Sequence, residues 1–359
     1  MMPLCSCQQE KQKNSKPLEY QNTICLARVT GMPLSDEDFA SPNNTARDYD
    51  VGGTDLGIVW ELDEGKYGIL FGDTYGADFS YDHNAGEPKG SNWRCNFLAF
   101  SEDLNLEDGL SIKSVVTGPD GKAREIIFGA KDKSGKGDWT SIPTAAIRAN
   151  GMDYIHYMNV RSWTGKKGWI TNYSGLYRST DNGKIWKKCE DIMWSADSNF
   201  GQAGYYREGE YVFMVGTQTG RASCPKLARF KEKDIENLSA YEYWNGIERK
   251  WIKGDETKAT DLFEDTVGEL SIIYNTKFKK WIMTYFCSQR YNITARDADD
   301  INGLWSEPVE IASGKDYPRL YGSFIHPLSA GSDNLYFLMS QWTPYNVFLM
   351  KTQVKQSEK

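Results

Sequence analysis

The sequence predicts an all-β protein, a five-bladed β-propeller with four-stranded antiparallel blades. Three observations lead to this fold class. Aromatic residues, which favour strands, make up 13% of the 359 residues. A group of three strand patterns recurs five times in the same order, and no segment has a convincing helical pattern. A pair of β-sandwiches is the alternative, but it does not explain the recurrence.

Each repeat contains an apolar strand, an aromatic-rich strand after a polar turn, and a third short strand. The aromatic-rich strands begin at Lys66, Met152, Glu210, Lys280 and Asn334. Several repeats end in a fourth strand rich in Trp or Tyr, which completes the anatomy of a propeller blade. The strand that begins at Thr23 is expected to complete the last blade and close the ring.

One turn motif supports the propeller. Residues 179–186 read Ser-Thr-Asp-Asn-Gly-Lys-Ile-Trp, which fits the S-x-D-x-G-x-x-W "Asp box" of propeller hydrolases and lectins. Its Asp and Gly form a tight hairpin between outer strands. Asp181 is therefore predicted to be structural and remote from any active site.

Composition excludes several classes of function. The net charge is −7 and no Lys/Arg-rich block occurs, so nucleic acid is not an expected partner. The three histidines show no ligand spacing, and neither a metal nor another cofactor is predicted. The scattered cysteines are interpreted mostly as buried free thiols, with room for one or two disulfides.

The amino-terminal segment has a different character. Leu4, Ser6 and Cys7 fit a bacterial lipobox and are followed by a hydrophilic run to Glu19. We therefore expect residues 1–19 to be a lipoprotein signal remnant and flexible tether, and residues 20–356 to be a single propeller catalytic domain. Membrane association would occur only through a lipid anchor at Cys7, on an exported outer-membrane, cell-surface or periplasmic protein.

Acidic residues gather where the first strands of the repeats begin. Aligning these strands places Asp55, Thr144, Gln202, Glu269 and Ser323 in one ring around the channel mouth. Asp73, at the end of the second strand, is expected beside Asp55. Two carboxylates that flank a bond are the usual apparatus of glycoside hydrolysis, so the three acids are the candidate catalytic residues. The alternative is that Asp55 and Asp73 only satisfy backbone amides in glycine-rich turns.

Polar and aromatic residues at matching strand ends suit a sugar site, because Arg and Asn bind hydroxyls and aromatic rings stack on sugar faces. The candidate substrate-binding residues are Trp93, Arg94, Asn96, Arg161, Asn172, Tyr173, Arg221, Tyr321, His326 and Trp342. His326 is open between a ligand contact and a structural hydrogen bond.

Several motifs together resemble one known family. GGTDLG (52–57), FGDTYG (71–76), WRCN (93–96), NVRSW (159–163), GELSIIYN (268–275) and YGSFIHP (321–327) are similar to a family of bacteria and phages long known only as a domain of unknown function. It is now associated with endo-D-arabinanases, five-bladed propellers that cut the D-arabinan of mycobacterial arabinogalactan. The family usually has WRSN where this chain has Cys95.

The resemblance implies an endo-acting glycoside hydrolase on α-linked D-arabinofuranosyl chains, with arabinan or arabinogalactan as the polysaccharide partner. It supports Asp55 and Asp73 as the acidic pair and Glu269 as a third candidate. By analogy with other five-bladed glycosidases, Glu269 is expected to be the general acid, Asp55 the base or nucleophile, and Asp73 a modulator.

Two other functions remain open from the sequence. A non-catalytic glycan-binding propeller on the cell surface would keep the aromatic and polar groups without needing paired acids. A sialidase-like enzyme is suggested by the Asp box together with Arg94, Arg161 and Arg221, and it would need these arginines to converge on a substrate carboxylate.

Overall fold

The computed structural model of the chain describes residues 16–82, 87–165 and 168–357, and it confirms the five-bladed β-propeller. Five antiparallel sheets follow one another along the chain, each with its first strand next to the central channel. The one α-helix among these residues is α1 (Thr45–Tyr49). Short 3-10 turns occupy Leu106–Asp108, Glu232–Asp234, Leu238–Ala240, Glu256–Lys258 and Pro327–Gly331.

The strands are numbered in chain order. The first is β1 (Leu18–Arg28). Blade 1 has β2 (Gly53–Asp63), β3 (Lys66–Tyr75), an inserted hairpin of β4 (Ser80–Asp82) and β5 (Glu87–Lys89), β6 (Phe97–Ser101) and β7 (Ser114–Val115). Blade 2 has β8 (Thr140–Ala149), β9 (Met152–Gly165), β10 (Gly168–Ser179) and β11 (Lys187–Ser195).

Blade 3 contains β12 (Gln202–Glu208), β13 (Tyr211–Thr217), β14 (Lys226–Lys231), β15 (Glu242–Asn245) and β16 (Lys250–Lys253). Blade 4 contains β17 (Leu270–Asn275), β18 (Lys280–Cys287), β19 (Asn292–Ala298) and β20 (Val309–Ser313). Blade 5 contains β21 (Leu320–Ile325), β22 (Asn334–Gln341) and β23 (Asn346–Gln356), and β1 is its outermost strand.

The fifth strand of blade 3 departs from the predicted four. β16 pairs with β15 through Trp244 and Trp251, whose rings lie 5.3 Å apart. A run of only four residues, Lys250–Lys253, is too short to stand out in the sequence as a strand. Cross-strand aromatic contact stabilises this outer hairpin.

The amino-terminal strand closes the ring, as predicted. β1 pairs with β23 from Leu18 opposite Gln356 to Arg28 opposite Phe348. The strand begins at Leu18, inside the predicted tether, and the backbone amide of Leu18 donates a 3.0 Å hydrogen bond to the buried carboxylate of Asp297. The lipobox residues lie outside the described residues.

The apolar core lies between neighbouring blades. The middle strands are buried on both faces, so Phe71 of β3 and Phe97 of β6 are fully inaccessible and stack at 4.5 Å. Burial of such large rings is the main contribution to stability where no disulfide bond links the described cysteines. Cys25, Cys95, Cys189, Cys224 and Cys287 are free thiols, which agrees with the sequence interpretation.

The Asp box forms the predicted turn between β10 and β11. Asp181 accepts hydrogen bonds from the Ser179 hydroxyl and from the backbone amides of Lys184 and Ile185. The Trp186 ring packs edge-on against Trp60 of blade 1 at 6.4 Å. The motif therefore joins two blades, and Asp181 is structural.

Among the described residues, no helix combines the length and apolarity needed to span a bilayer. The same residues contain no group of three or more His, Cys, Asp or Glu side chains placed to hold a metal ion.

Candidate active site

The three predicted acids converge at one mouth of the channel. Asp55 lies near the start of β2 and Asp73 near the end of β3. Because Thr54 pairs with Thr74, these two strand ends lie side by side. Glu269 directly precedes β17, the inner strand of blade 4. Electrostatic coupling of Asp55 to both Asp73 and Glu269 places the carboxylates in one cluster.

Asp55 is held by tyrosines. The Tyr321 hydroxyl donates a 2.8 Å hydrogen bond to Asp55 Oδ2. Burial raises the pKa of Asp55 to about 7, against the hydrogen bond from Tyr321, which lowers it. The Tyr345 hydroxyl approaches the same carboxylate and also lowers its pKa, but Oδ1 has no partner of hydrogen-bond geometry within the described chain. That oxygen is inaccessible and lies against Gly72, where an added Cβ would approach it to 2.3 Å.

Asp73 is half-buried, like Asp55, and is held by two side chains. Its Oδ1 accepts hydrogen bonds from the Trp93 indole at 3.2 Å and from the Thr140 hydroxyl at 2.9 Å. Burial, and after it the nearby Asp55 carboxylate, raises the pKa of Asp73 to about 8. Asp73 therefore holds a proton at neutral pH.

Glu269 is engaged by an arginine. Arg221 Nε donates to both carboxylate oxygens, at 3.1 and 3.2 Å, and Nη2 donates to Oε1 at 2.6 Å. The guanidinium carbon also lies 5.1 Å from the centre of the Tyr321 ring. A charge-assisted pair of this geometry is strong, and protonation of Glu269 would disrupt it. Glu269 is therefore poorly suited to the general acid role expected from the sequence.

The arrangement can perform acid–base chemistry. One carboxyl that retains its proton, Asp73, stands beside a second carboxyl, Asp55, that titrates near neutral pH. Environments that separate the roles of two carboxyls in this way are the signature of a general acid paired with a base or nucleophile. The backbone-satisfying alternative does not fit, because the described hydrogen bonds of both carboxylates come from side chains.

Aromatic residues flank the acids on two sides. Trp93 holds Asp73, and its ring faces the ammonium groups of Lys131 and Lys133 at 5.6 and 5.3 Å. On the other side the Trp169 ring lies 5.3 Å from the Arg221 guanidinium, and Trp163 packs edge-on against Trp169 at 5.8 Å. Trp163 is 37% exposed, so part of this aromatic pair is open to solvent.

Two members of the predicted ring lie elsewhere. In blade 2, Thr140 rather than Thr144 reaches the acids, since its hydroxyl binds Asp73. In blade 5 the mouth residue is Tyr321 rather than Ser323. Gln202 is at the mouth end of its strand but is 3% exposed, and its amide oxygen accepts from the Gly220 backbone, which shapes the loop before Arg221.

Arg94 and Asn96 are placed in the interior, contrary to the prediction that they contact substrate. Arg94 is 4% exposed and donates to the backbone carbonyls of Ala123 and Asp50. Asn96 is inaccessible, and its amide group binds four backbone groups of the loop around Ile127 and Ser141. Both residues hold loops, and the three arginines that a sialidase-like site needs do not meet.

Blade 2 contributes less than predicted. Asn172 donates to the Gly137 carbonyl and to Asn159, and Tyr173 packs edge-on against Tyr157 at 6.1 Å, so both serve packing within the blade. Arg161 is half-buried on β9 and makes no hydrogen bond or ion pair with any residue the structure describes. The structure thus places no substrate-facing function on Asn172 or Tyr173.

The other two candidates in blade 5, His326 and Trp342, lie apart from each other. His326 is inaccessible at the far end of β21, where its Nδ1 accepts from the Leu328 amide and its ring packs against Tyr67. Burial lowers the pKa of His326 to about 3. The structural alternative for His326 is therefore correct. Trp342 is 37% exposed and contacts Tyr345 edge-on at 5.3 Å, close to the acids.

Sequence reasoning missed two residues of the site. Tyr345 packs between Asp55 and the aromatic rings of Tyr75, Phe79 and Trp342. Thr140 is the first residue of β8, four positions before the predicted Thr144. The aromatic segment Trp342–Tyr345 was a usable signal for Tyr345, whereas nothing local marks Thr140.

A cavity of about 610 Å³ opens at the end of the channel opposite the acids. It is walled by residues of all five inner strands, including Ile58, Thr144 and Ile272. It lies away from the three acids.

Fold and site together define a five-bladed propeller with an acidic, aromatic-flanked centre at one channel mouth. The chain belongs to the family described as a domain of unknown function, DUF4185, whose profile matches residues 40–351. It is 28% identical over 316 residues to notoamide biosynthesis cluster protein J of Aspergillus sp. (strain MF297-2), covering 83% of this chain and 82% of that protein. The related protein J' of Aspergillus versicolor is also 28% identical, over 314 residues.

Solved structures share the fold at low identity. A "putative hydrolase" from Bacteroides ovatus superposes with a TM-score of 0.60 at 12% identity, over 86% of this chain and 87% of that one. An exo-β-1,3-galactanase from Phanerochaete chrysosporium superposes with a TM-score of 0.50 at 11% identity, over 92% of this chain and 64% of that one. These similarities concern the fold.

Proposed function

We propose that the protein is a glycoside hydrolase that cleaves a polysaccharide internally, with α-D-arabinofuranosyl linkages of D-arabinan as its substrate. The observation that carries the proposal is the pair of desolvated carboxyls, Asp55 and Asp73, beside an exposed aromatic surface. The galactanase with the same fold is a carbohydrate-active enzyme with a bound galactotriose. The D-arabinan specificity rests on the sequence resemblance.

The geometry supports revised catalytic roles. Asp73 would protonate the leaving oxygen, since burial raises its pKa to about 8. Asp55, whose pKa burial raises to about 7, would act as base or nucleophile. Tyr321 would hold the Asp55 carboxylate in position through its 2.8 Å hydrogen bond.

The proposal is tested by incubating the protein with arabinogalactan, D-arabinan, L-arabinan and galactan and sizing the products. Short oligosaccharides from D-arabinan alone are expected. Asp55→Asn and Asp73→Asn should each lower kcat by about 10²–10⁴-fold, the usual range for an acid or base, while substrate affinity is retained. Binding without any turnover in the wild type would instead indicate a glycan-binding protein.

The acid role of Asp73 has its own test. A nitrophenyl arabinofuranoside needs little protonation of its leaving group. Asp73→Asn should therefore keep most of its activity on this substrate while losing it on polysaccharide. Equal losses on both substrates would contradict the assignment.

We also propose that the protein is exported and anchored through a lipid on Cys7, on the strength of the Leu4-x-Ser6-Cys7 motif. Metabolic labelling with a radioactive fatty acid in a bacterial host should mark the wild type and not Cys7→Ser. Equal labelling of both proteins would contradict the anchor.

A further inference from the structure

The Arg221 side chain is fixed by aromatic rings from three blades. Its guanidinium carbon lies 5.3 Å from the ring centre of Trp169, 4.9 Å from that of Phe286 and 5.1 Å from that of Tyr321. A Cβ at position 268 would approach Arg221 Cγ to 3.1 Å, so Gly268 leaves room for the stem. Stacking on several rings orients a guanidinium without consuming its N–H groups.

The ion pair with Glu269 leaves hydrogen-bonding capacity on both side chains. Arg221 spends Nε and Nη2 on the carboxylate, and Nη1 donates to no residue that the structure describes. The Arg221 side chain is 31% exposed and that of Glu269 is 11% exposed. A guanidinium has five N–H donors and a carboxylate about four acceptor sites, so the pair presents a donor and an acceptor next to each other.

The location of the pair links it to the acids. Tyr321 carries the guanidinium over its ring and donates its hydroxyl to Asp55. A sugar that contacts Arg221 and Glu269 would therefore lie beside Asp55. Because the two charges cancel, the pair suits neutral hydroxyl groups better than a substrate carboxylate.

We infer that Arg221 and Glu269 form a clamp that recognises two neighbouring hydroxyl groups of the sugar bound beside Asp55, so that Glu269 determines specificity and does not transfer a proton. The inference rests on the proposed function, since it assigns the sugar-binding part of that same site. Arg221 donates to one hydroxyl oxygen, and Glu269 accepts from the adjacent hydroxyl. An unbranched furanoside linked through its primary carbon offers such a pair on every residue.

The test measures binding separately from turnover. In an Asp55→Asn background, calorimetry with D-arabino-, L-arabino- and β-1,3-galacto-oligosaccharides identifies the best ligand. Glu269→Gln and Arg221→Lys should each weaken its Kd by about tenfold or more, as expected for lost hydrogen bonds to charged groups. Thermal melting checks that both variants fold.

A matched control is present on blade 3. Arg229 pairs with Glu242 at 2.7 Å and stacks on Trp251 at 4.2 Å and on Tyr211 at 4.9 Å. These residues lie on β13 to β16 and not on the inner strand of the blade. Glu242→Gln removes the same kind of ion pair from the same kind of aromatic setting. In the Asp55→Asn background, Glu242→Gln should leave the Kd for the best oligosaccharide unchanged.

Three results would overturn the clamp. The first is an unchanged Kd in Glu269→Gln, and the second is an absence of binding to all three oligosaccharides. The third is a Glu269→Gln variant that loses kcat on polysaccharide and recovers it on the nitrophenyl glycoside, which is the behaviour of a general acid. Weakened binding in a protein that shows no hydrolysis would support the clamp and reject the hydrolase.

Discussion

At the scale of single residues, two half-buried, desolvated carboxyls that form no ion pair with a described residue dominate the site. Ordinary proteins avoid this arrangement, because desolvation disfavours the charged form of each group. The cation of the cluster, Arg221, is bound to Glu269 instead. Desolvation of Asp55 and Asp73 therefore destabilises the folded state, and these are the residues proposed to carry out the chemistry.

This cost makes stability depend on pH in a predictable direction. The unfolded chain releases the Asp73 proton near its ordinary pKa of 3.8, whereas the folded protein holds it up to about 8. The folded state thus binds more protons across this interval, and the free energy of unfolding falls as the pH rises from about 4 to 8.

Asp73→Asn removes that dependence while retaining an oxygen acceptor for Trp93 and Thr140. We expect the variant to melt several degrees above the wild type at pH 8.5, with the difference shrinking towards pH 4.5. Differential scanning calorimetry across this range provides the measurement, with the exposed Asp316→Asn as control. A wild type that gains stability relative to Asp73→Asn as the pH rises would contradict the burial argument.

A glycine next to the acids gives a second prediction. A Cβ at position 72 would stand 2.3 Å from Asp55 Oδ1 and 2.9 Å from Leu56 Cδ1. Gly72→Ala should therefore displace the Asp55 carboxylate and lower kcat about 100-fold, the usual effect of a misplacement near 1 Å.

Gly331→Ala is the control for that change, because its nearest neighbour would be 3.8 Å away. Steady-state kinetics of both variants provide the measurement, and Gly331→Ala should keep the wild-type kcat. Full activity in Gly72→Ala would show that the Asp55 position is not critical.

At the scale of elements, irregular pairing explains why the predicted ring was partly wrong. The inner strands contain register shifts at the mouth, between Thr54 and Leu56, between Pro143 and Ala145, and between Tyr321 and Phe324. Each bulge inserts residues on one strand and re-aims its side chains. An alignment of strands by their apolar runs does not detect such insertions. It therefore predicts Thr144 and Ser323 at the channel mouth, where the structure has Thr140 and Tyr321.

The Asp box hairpin yields a prediction at the same scale. Asp181→Ala removes the acceptor for the amides of Lys184 and Ile185 and frees the turn that carries Trp186. Urea unfolding should show a loss of about 0.5–1.5 kcal/mol in the free energy of unfolding, the net contribution of a hydrogen bond whose partners water can reach.

Activity should be unaffected, because this turn lies on the outer strands. The exposed Asp191→Ala on β11 serves as control and should leave stability unchanged. A large fall in kcat/KM for a folded Asp181→Ala would contradict the structural role.

At the scale of the whole molecule, ring closure depends on the amino-terminal strand. β1 covers the edge of β23, and Leu18 is fastened to Asp297, which also binds the buried Lys280 at 3.1 Å. Without β1, blade 5 would expose an unpaired edge and part of its core.

A chain that begins at Gly31 is therefore expected to melt at a markedly lower temperature than one that begins at Lys16, and to aggregate on heating. Circular dichroism and light scattering provide the comparison. Equal melting of the two chains would show that closure by β1 is dispensable.

The sequence by itself determined the fold class, the closing strand, the Asp box and the three acids, because strand periodicity and turn chemistry are local properties of the chain. The tertiary structure alone decided which polar residues face the mouth. Arg94, Asn96 and His326 resemble ligand-binding residues in sequence, but they turn inward to satisfy buried backbone groups. Glu269 pairs with Arg221 because blades 3 and 4 are neighbours in the ring. The two residues are 48 positions apart in the chain, and no local pattern encodes their contact.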